Sequence, residues 1–266
     1  GIVDFKNNLV KFIGDPQKRI TEDYLRIIRF IRFALEYESE IEKETVEAIK
    51  LNLNGIKKIS KERIFNELYK ILKIKNFLKL NKKEPLKKIF LLIFPELKYL
   101  ERLDKFNTIP DKFFNDKKSL LAILLIDETN NHEYFLHKYN ISNELKDNLN
   151  FIAKNFINLK KNKKFFQNDL KKNAYYLGKE HLQLLNMLNF LSNQKLNLKY
   201  YLDNSNMIKN ISLPKFPFNG NFLKNKGIKE GMVIGKTLKI LENEWVNCDF
   251  KISEQKISKI ISDQNN

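Results

Sequence analysis

The stretch "ITEDYLRIIRFIRFALEY" (residues 20–37) combines a run of apolar residues with acids and arginines at helical spacing. Its apolar residues recur every three or four positions, the pattern of an amphipathic helix with one buried face. A row of charges follows at three-residue steps: Asp23, Arg26, Arg29 and Arg32. Residues three apart project from the same side of a helix. We therefore predict a helix that buries its isoleucines and phenylalanines and presents this row of charges along one side.

Arginine is concentrated near this helix. The chain has 49 basic residues, of which six are arginines, and five of those six lie within the first 63 positions. Asparagine occurs 34 times and lysine is abundant, as expected from codons rich in A and T. Lysine is thus the default cation here. We interpret the persistence of arginine as a need for its planar fork of donors, which an ammonium cannot supply.

Helical periodicity extends over the whole chain. Segments 61–74, 117–128, 143–159, 179–193 and 235–247 return apolar residues at the same spacing, whereas only "GIVDF" (1–5) and "LVKFIG" (9–14) look extended. Turn-rich "NKKEP" and "SLPKFPFNG" separate later segments. We predict an all-α fold with at most a short extended segment at the N-terminus, and breaks near residues 80 and 200.

The net charge and the apolar runs of the chain limit the kinds of partner that we expect. A formal net charge of +17 favours a polyanion, because phosphates neutralised by lysine and arginine release counterions. Codon-driven lysine on solvated faces is the alternative. The longest apolar runs are far shorter than the ~20 residues that span a bilayer, so we expect no membrane partner. Cys248 is the single cysteine, which is typical of a reducing, cytoplasmic setting.

The start of the 20–37 helix has two interpretations. Thr21 suits an N-cap, and Glu22 and Asp23 in the first turn would meet the positive end of the helix dipole. Alternatively, Asp23 and Arg26 place acceptors beside donors, which is the complement of a nucleobase edge. Spacing alone does not choose between a solvated salt bridge and base recognition.

Three segments resemble one known family. "GDPQKRITEDYLRIIRFIRFA" (14–34) is similar to motif D of the bacterial-type (class II) CCA-adding tRNA nucleotidyltransferases. "SKERIFNELYKIL" (60–72) resembles their motif E, with the E-R-I-x-x-E-L core, and "GIVDF" resembles the tail of motif C. Residues 214–250 resemble the closing segment of proteobacterial members. The resemblance covers both ends of the chain and is weaker in the middle.

The resemblance implies roles for named residues. Asp23 and Arg26 would be the protein template that selects CTP or ATP, Glu22 would brace that pair, and Arg29 would lie near the nucleotide. Arg32, together with Glu62 and Arg63 of motif E, would support the template. The family's organisation implies a neck (1–80), a helical body (81–200) and a helical tail (201–266) that contacts tRNA. In sum, the chain would select nucleotides and bind tRNA for addition of CMP and AMP to the tRNA 3' end.

The family's catalytic head lies before motif C, inside which this chain begins. The sequence contains no D-x-D, the carboxylate pattern that holds Mg²⁺ in the head. We therefore expect no catalytic residue and no bound metal in this chain, with the head upstream in the same gene or on a separate chain. A bacterial poly(A) polymerase fragment and a non-catalytic helical RNA-binding module are the alternatives.

Other candidate sites are weaker. His132, His137 and His181 lack zinc spacing. Asp127 and Glu128 follow an apolar helix, where helix-end solvation is expected. The glycines of "KGIKEGMVIGK" (226–236) fit either a phosphate-binding turn or an ordinary helix connection, and the Phe165–Phe166 pair fits either base stacking or a core.

Overall fold

The computed structural model describes residues 9–110, 117–228 and 231–265. No β-strand occurs in those ranges, and each of the six segments predicted to be helical is mainly helical, so the all-α prediction is confirmed. "GIVDF" (1–5) lies outside the described residues, and "LVKFIG" (9–14) forms no strand. The helices are α1 (Pro16–Glu22), α2 (Leu25–Glu36), α3 (Lys43–Asn52), α4 (Lys61–Ile71), α5 (Glu84–Ile93), α6 (Arg102–Phe106), α7 (Lys117–Leu125), α8 (Asn131–Lys138), α9 (Asn143–Lys161), α10 (Leu170–Leu177), α11 (Lys179–Ser192), α12 (Leu198–Asn210), α13 (Gly220–Asn225), α14 (Gly231–Asn247) and α15 (Glu254–Asn265), with 3₁₀ segments at Leu53–Lys58 and Lys75–Lys82.

The opening stretch is two helices, and this corrects the prediction of one. Asp23 between them is extended, with φ −154° and ψ 105°. Thr21 is not an N-cap, since its hydroxyl donates to the Gln17 and Lys18 carbonyls within α1. The α1 N-cap is Asp15, whose Oδ1 accepts from the Gln17 amide at 2.8 Å. Proline follows at the first position of α1, where its missing N–H costs no hydrogen bond.

The chain divides into two compact units. One comprises residues 1–162 and 184–203, and the other comprises residues 163–183 and 204–266. In the first unit α1 packs on α3 and α2 packs on α4. The buried face of α2 includes every isoleucine of the helix, as the periodicity predicted, and Phe30, whereas Phe33 is 36% exposed and lies under the Arg32 guanidinium. The buried residues are Leu25, Ile27, Ile28, Phe30, Ile31, Ala34 and Leu35. The boundaries of neck, body and tail remain a prediction.

A close approach in the first unit depends on a glycine. A Cβ at Gly55 would lie 2.0 Å from Cδ1 and Cε1 of the Tyr24 ring, far inside van der Waals contact. The 3₁₀ segment therefore packs its backbone directly on the aromatic ring beside Asp23. Only glycine has the room for this arrangement.

Two cations in the first unit cap helix C-termini from the side. Arg102 is 5% exposed, and its Nη1 donates to the carbonyls of Ile123 and Ile126 at 2.7 Å each, at the end of α7. Lys105 Nζ donates to the carbonyl of Phe190 in the last turn of α11 and to the carbonyls of Asn193 and Leu196 after it, at 2.7 to 3.0 Å. Helix C-termini leave carbonyls without intrahelical partners, and a cation there also meets the negative end of the dipole.

Asp127 is buried, which corrects the expectation that it is a solvated helix-end acid. Its side chain is 10% exposed and accepts from the Tyr99 hydroxyl at 2.6 Å and from the Thr129 amide at 2.7 Å. Burial would raise the pKa of this carboxyl, but the hydrogen bonds from Thr129 and Tyr99 outweigh burial and lower the pKa to about 2. The ionised carboxylate thus ties α7 to the segment before α6.

The second unit has its own core. Buried residues from α13, α14, α15 and the connection after α13 form it, and three partly buried phenylalanines of segment 214–222 pack against it. The core residues are Leu223, Ile228, Ile234, Leu241, Ile257 and Ile261. Phe165 and Phe166 are each 5% exposed, which confirms the core interpretation of that pair. Gly227 has φ +96° after α13, whereas Gly235 lies inside α14 and is not in a turn.

Among the described residues, none of the helices is both long and apolar enough to cross a membrane. Over the same ranges no cluster of three or more His, Cys, Asp or Glu side chains could hold a metal ion. His132 is buried in α8, and burial lowers its pKa.

Candidate nucleotide-binding site

Asp23 is held by contacts on both sides of its carboxylate. Oδ1 accepts from the Leu25 amide at 3.1 Å, and Oδ2 accepts from Arg63 Nη2 at 3.2 Å. Arg63 lies in the first turn of α4, where the Ser60 N-cap fixes the helix start. Motif E thus holds the carboxylate of motif D from a position 40 residues away.

Arg26 is held by α1. Its Nη1 donates to the Arg19 carbonyl at 2.8 Å and forms a short ion pair with Glu22. Arg19 also pairs with Glu22, at 3.2 Å. Hydrogen bonds from Arg26 and then Arg19 lower the pKa of Glu22, so this exposed carboxylate stays ionised between two guanidinium groups. Glu22 therefore contacts the arginine of the candidate template.

Glu67 of α4 is the acid under the arginine row. It is 3% exposed, and it lies 3.2 Å from Arg32 Nε, 3.5 Å from Arg29 Nε and 2.8 Å from Lys70 Nζ. Burial acts to raise the pKa of Glu67, but Lys70 and the two arginines outweigh it and lower the pKa. Arg29 and Arg32 are thereby fixed to the helix beneath them.

An arginine-lined cleft of about 380 Å³ opens beside α2. Residues 10–13 form one wall, and Arg19, Arg26 and Arg29 contribute guanidinium groups. Phe12 stacks on Phe30 in it, with ring centroids 5.3 Å apart. Aromatic rings next to arginines suit a flat, anionic ligand such as a nucleotide.

Some of the predicted site residues line the cleft, and others lie beside it or at the surface. Arg26 and Arg29 line the cleft, whereas Glu22 and Asp23 contact arginines next to it. Glu62, a predicted supporting residue, is an exposed first-turn acid of α4. The sequence places Glu67 in the E-R-I-x-x-E-L core of motif E but assigns it no role, although an acid three residues after buried Ile64 and next to buried Leu68 signals a paired acid on an apolar face.

Comparisons with known proteins identify similar sequences. Residues 40–100 match a family described as "Probable RNA and SrmB-binding site of polymerase A". The chain is 29% identical over 266 residues to the mitochondrial CCA tRNA nucleotidyltransferase 1 of Homo sapiens, covering 98% of this chain and 60% of that protein. The chain thus spans about 60% of this relative's length.

Two solved structures share the fold. The CCA-adding enzyme of Bacillus stearothermophilus in complex with CTP superposes with a TM-score of 0.69 at 15% identity, covering 98% of this chain and 67% of that one. The Thermotoga maritima CCA-adding enzyme complexed with tRNA gives a TM-score of 0.62 at 20% identity, covering 99% and 66%.

The helical fold is that of the matched portions of these two CCA-adding enzymes. Over nearly its whole length, the chain is also similar in sequence to a CCA tRNA nucleotidyltransferase. The resemblance inferred from motifs D and E is therefore confirmed.

Proposed function

We propose that this chain selects CTP and ATP and binds tRNA for a CCA-adding nucleotidyltransferase, which adds CMP and AMP to the tRNA 3' end. The observation that carries the proposal is the cleft lined by Arg26 and Arg29 of motif D, in which Glu22 of α1 holds Arg26 and Glu67 of motif E holds Arg29. The relatives are CCA-adding enzymes, so a poly(A) polymerase fragment and a non-catalytic RNA-binding module are not favoured.

Base selection in this proposal rests on Asp23 and Arg26. Each Asp23 oxygen has a second lone pair beyond its present bond, which can accept from the exocyclic amino group that C and A share. Arg26 uses Nη1 for both of its hydrogen bonds, so donors on Nε and Nη2 remain for a base. Asp23 and Arg26 can therefore hydrogen-bond to a base without breaking the bonds that hold them in place.

The remaining residues have supporting roles in the proposal. Glu22 orients Arg26, Arg63 orients Asp23, and Glu67 anchors Arg29 and Arg32. Glu62 would contribute through the helix dipole of α4 alone.

Transfer RNA is the proposed macromolecular partner. The net charge of +17, the RNA-binding description of the family matched by residues 40–100, and the tRNA bound to the Thermotoga relative support it. A cytoplasmic location fits a tRNA-processing protein with one cysteine.

We further propose that the Mg²⁺-binding carboxylates and the catalytic step belong to a head domain outside these 266 residues. The described residues contain no carboxylate cluster that fits a metal, and the sequence has no D-x-D. The chain alone should then transfer no nucleotide.

The test measures nucleotide discrimination in a protein that joins this chain to a nucleotidyltransferase head. Asp23→Ala should relax discrimination against UTP and GTP by about 10- to 100-fold, because the acceptor for the amino group is lost. Arg26→Lys should weaken correct incorporation, since an ammonium cannot replace the planar fork.

Glu36→Ala is the matched control, an exposed acid at the far end of α2 that lies outside the cleft lining. It should leave discrimination unchanged. A uniform loss of incorporation for all four nucleotides in Asp23→Ala would assign Asp23 to a helix-end salt bridge instead.

A further inference from the structure

Arg19 of α1 contacts both the candidate base-reading arginine and the cleft wall formed by residues 10–13. Its Nε donates to the Ile13 carbonyl at 2.9 Å. Its Nη1 donates to both carboxylate oxygens of Glu22, at 3.2 Å each. Its own backbone carbonyl accepts from Arg26 Nη1 at 2.8 Å. One residue therefore connects Ile13, Glu22 and Arg26.

The cleft wall forms no strand, so its position depends on individual contacts. At its N-terminal end the Val10 amide donates to Ser39 Oγ at 2.8 Å, and in its middle the Phe12 ring stacks on α2. At its other end Ile13 is 84% exposed, so side-chain packing does not hold this residue. The hydrogen bond from Arg19 Nε to the Ile13 carbonyl is therefore what fixes that end of the wall.

Arg26 is positioned by two contacts, and Arg19 takes part in each. The Arg19 carbonyl accepts one hydrogen bond from Arg26, and Glu22 accepts the other. The Glu22 side chain is 47% exposed, and a glutamate in that setting samples several rotamers unless it is held. Arg19 contacts both oxygens of the carboxylate and so restricts the orientation that Glu22 presents to Arg26.

We propose that Arg19 is a positioning residue for nucleotide selection, which fixes Arg26 through Glu22 and fixes the Ile13 end of the cleft wall with the same guanidinium. This inference rests on the proposed base-reading role of Arg26. Because one side chain holds both sides, the distance between the wall and the Arg26 donors is set before a nucleotide enters. The cleft then favours a base whose edge matches those donors at that distance.

An ordinary solvated salt bridge on α1 is the alternative role for Arg19. Exposed pairs three residues apart contribute little to stability, and lysine forms them as readily as arginine. Lysine is also the common cation of this chain. A single ammonium, however, cannot donate to the Ile13 carbonyl and to both Glu22 oxygens in the geometry of a planar fork. Arg19→Lys therefore keeps the charge and separates the two roles.

The first measurement uses the full 266-residue chain labelled with ¹⁵N-arginine. The chain has six arginines, so side-chain Nε–H signals are few and NMR relaxation reports how far each is restrained. In Arg19→Lys the order parameter of Arg26 should fall below about 0.6, the value of flexible groups. Arg29 is held by Glu67 of α4 instead, so it should keep its wild-type value and serves as the internal control.

Lys18→Ala is the matched control variant, because Lys18 is the exposed neighbour of Arg19 on α1 and does not line the cleft. It should leave the Arg26 and Arg29 signals unchanged. Thermal unfolding checks that both variants are folded.

The second measurement is nucleotide discrimination in the protein that joins this chain to a nucleotidyltransferase head. Arg19→Lys should reduce discrimination against UTP and GTP about three- to tenfold, through a higher KM for CTP and ATP with kcat retained. Glu22→Ala should act in the same direction. The double variant should lose less than the product of the two single losses, because Arg19 acts largely through Glu22.

Four results would overturn the inference. They are an unchanged Arg26 signal in Arg19→Lys, equal loosening of Arg26 and Arg29, multiplicative losses in the double variant, and wild-type discrimination in Arg19→Lys where Asp23→Ala relaxes it. Failure of the proposed function has a different signature. If Arg19→Lys releases Arg26 while Asp23→Ala keeps wild-type discrimination, positioning by Arg19 is supported and base reading by Asp23 and Arg26 is refuted.

Discussion

Replacing Glu67 by glutamine should destabilise the fold more than any other single charge removal near the candidate site. The substitution keeps the side-chain volume and removes the negative charge that faces Arg29, Arg32 and Lys70. Breaking a fully buried ion pair costs about 3–5 kcal/mol. Here Arg29 and Lys70 are about half exposed and can be rehydrated, whereas Arg32 is 22% exposed and cannot be fully rehydrated. We therefore expect a loss of about 2–3 kcal/mol in the free energy of unfolding.

Urea unfolding followed by circular dichroism measures this loss. Glu62→Gln is the control, because Glu62 lies on the same helix but is exposed, and it should cost at most about 0.5 kcal/mol. The pKa of Glu67 is below its ordinary 4.5, so its stabilisation is present above that pH and is lost as the pH falls through the lowered value. The difference between wild type and Glu67→Gln should shrink in acid. Equal losses for Glu67→Gln and Glu62→Gln at neutral pH would refute the anchoring role.

Three further outcomes are expected. Asp127→Asn should lower the free energy of unfolding by about 2 kcal/mol at pH 7 in urea titrations, because folding lowers the pKa of Asp127 from 3.8 to about 2. This stabilisation is lost as the pH drops from about 4 towards 2, and a variant as stable as wild type at pH 7 would contradict the prediction. Affinity of the chain for tRNA, measured by filter binding, should fall steeply between low and physiological salt, and a flat response would remove the polyanion argument. Gly55→Ala should lower the free energy of unfolding by about 1–3 kcal/mol in urea titrations, since its Cβ would overlap the Tyr24 ring; an unchanged midpoint would show that the ring moves freely.

The sequence predicts the helices well because their stability comes from a local apolar repeat. Leu25, Ile28 and Ile31 are buried as the spacing of α2 requires. The Asp15–Pro16 pair also carried a recognisable start signal, an N-cap acid followed by proline, which would have placed the beginning of α1 correctly.

Local sequence patterns do not predict the helix break at Asp23. Asp23 leaves the helix in a conformation held partly by Arg63, which is 40 residues away, and no spacing rule links those two positions. The same holds for a cavity of about 400 Å³ lined by Ile56, Ile64 and Leu92, whose walls come from four separate elements. Periodicity identifies which face of a helix is buried, but it does not say where two buried faces fail to meet.

The contact between Gly55 and Tyr24 restricts the order in which this protein can change during evolution. Every substitution at position 55 adds at least a Cβ, which has no room while a tyrosine ring occupies the space. A smaller side chain at position 24 would open that space first. A lineage can therefore acquire a larger residue at 55 after position 24 has shrunk, while the reverse order passes through a destabilised intermediate. Homologues without glycine at the equivalent of 55 should accordingly have lost the tyrosine at the equivalent of 24.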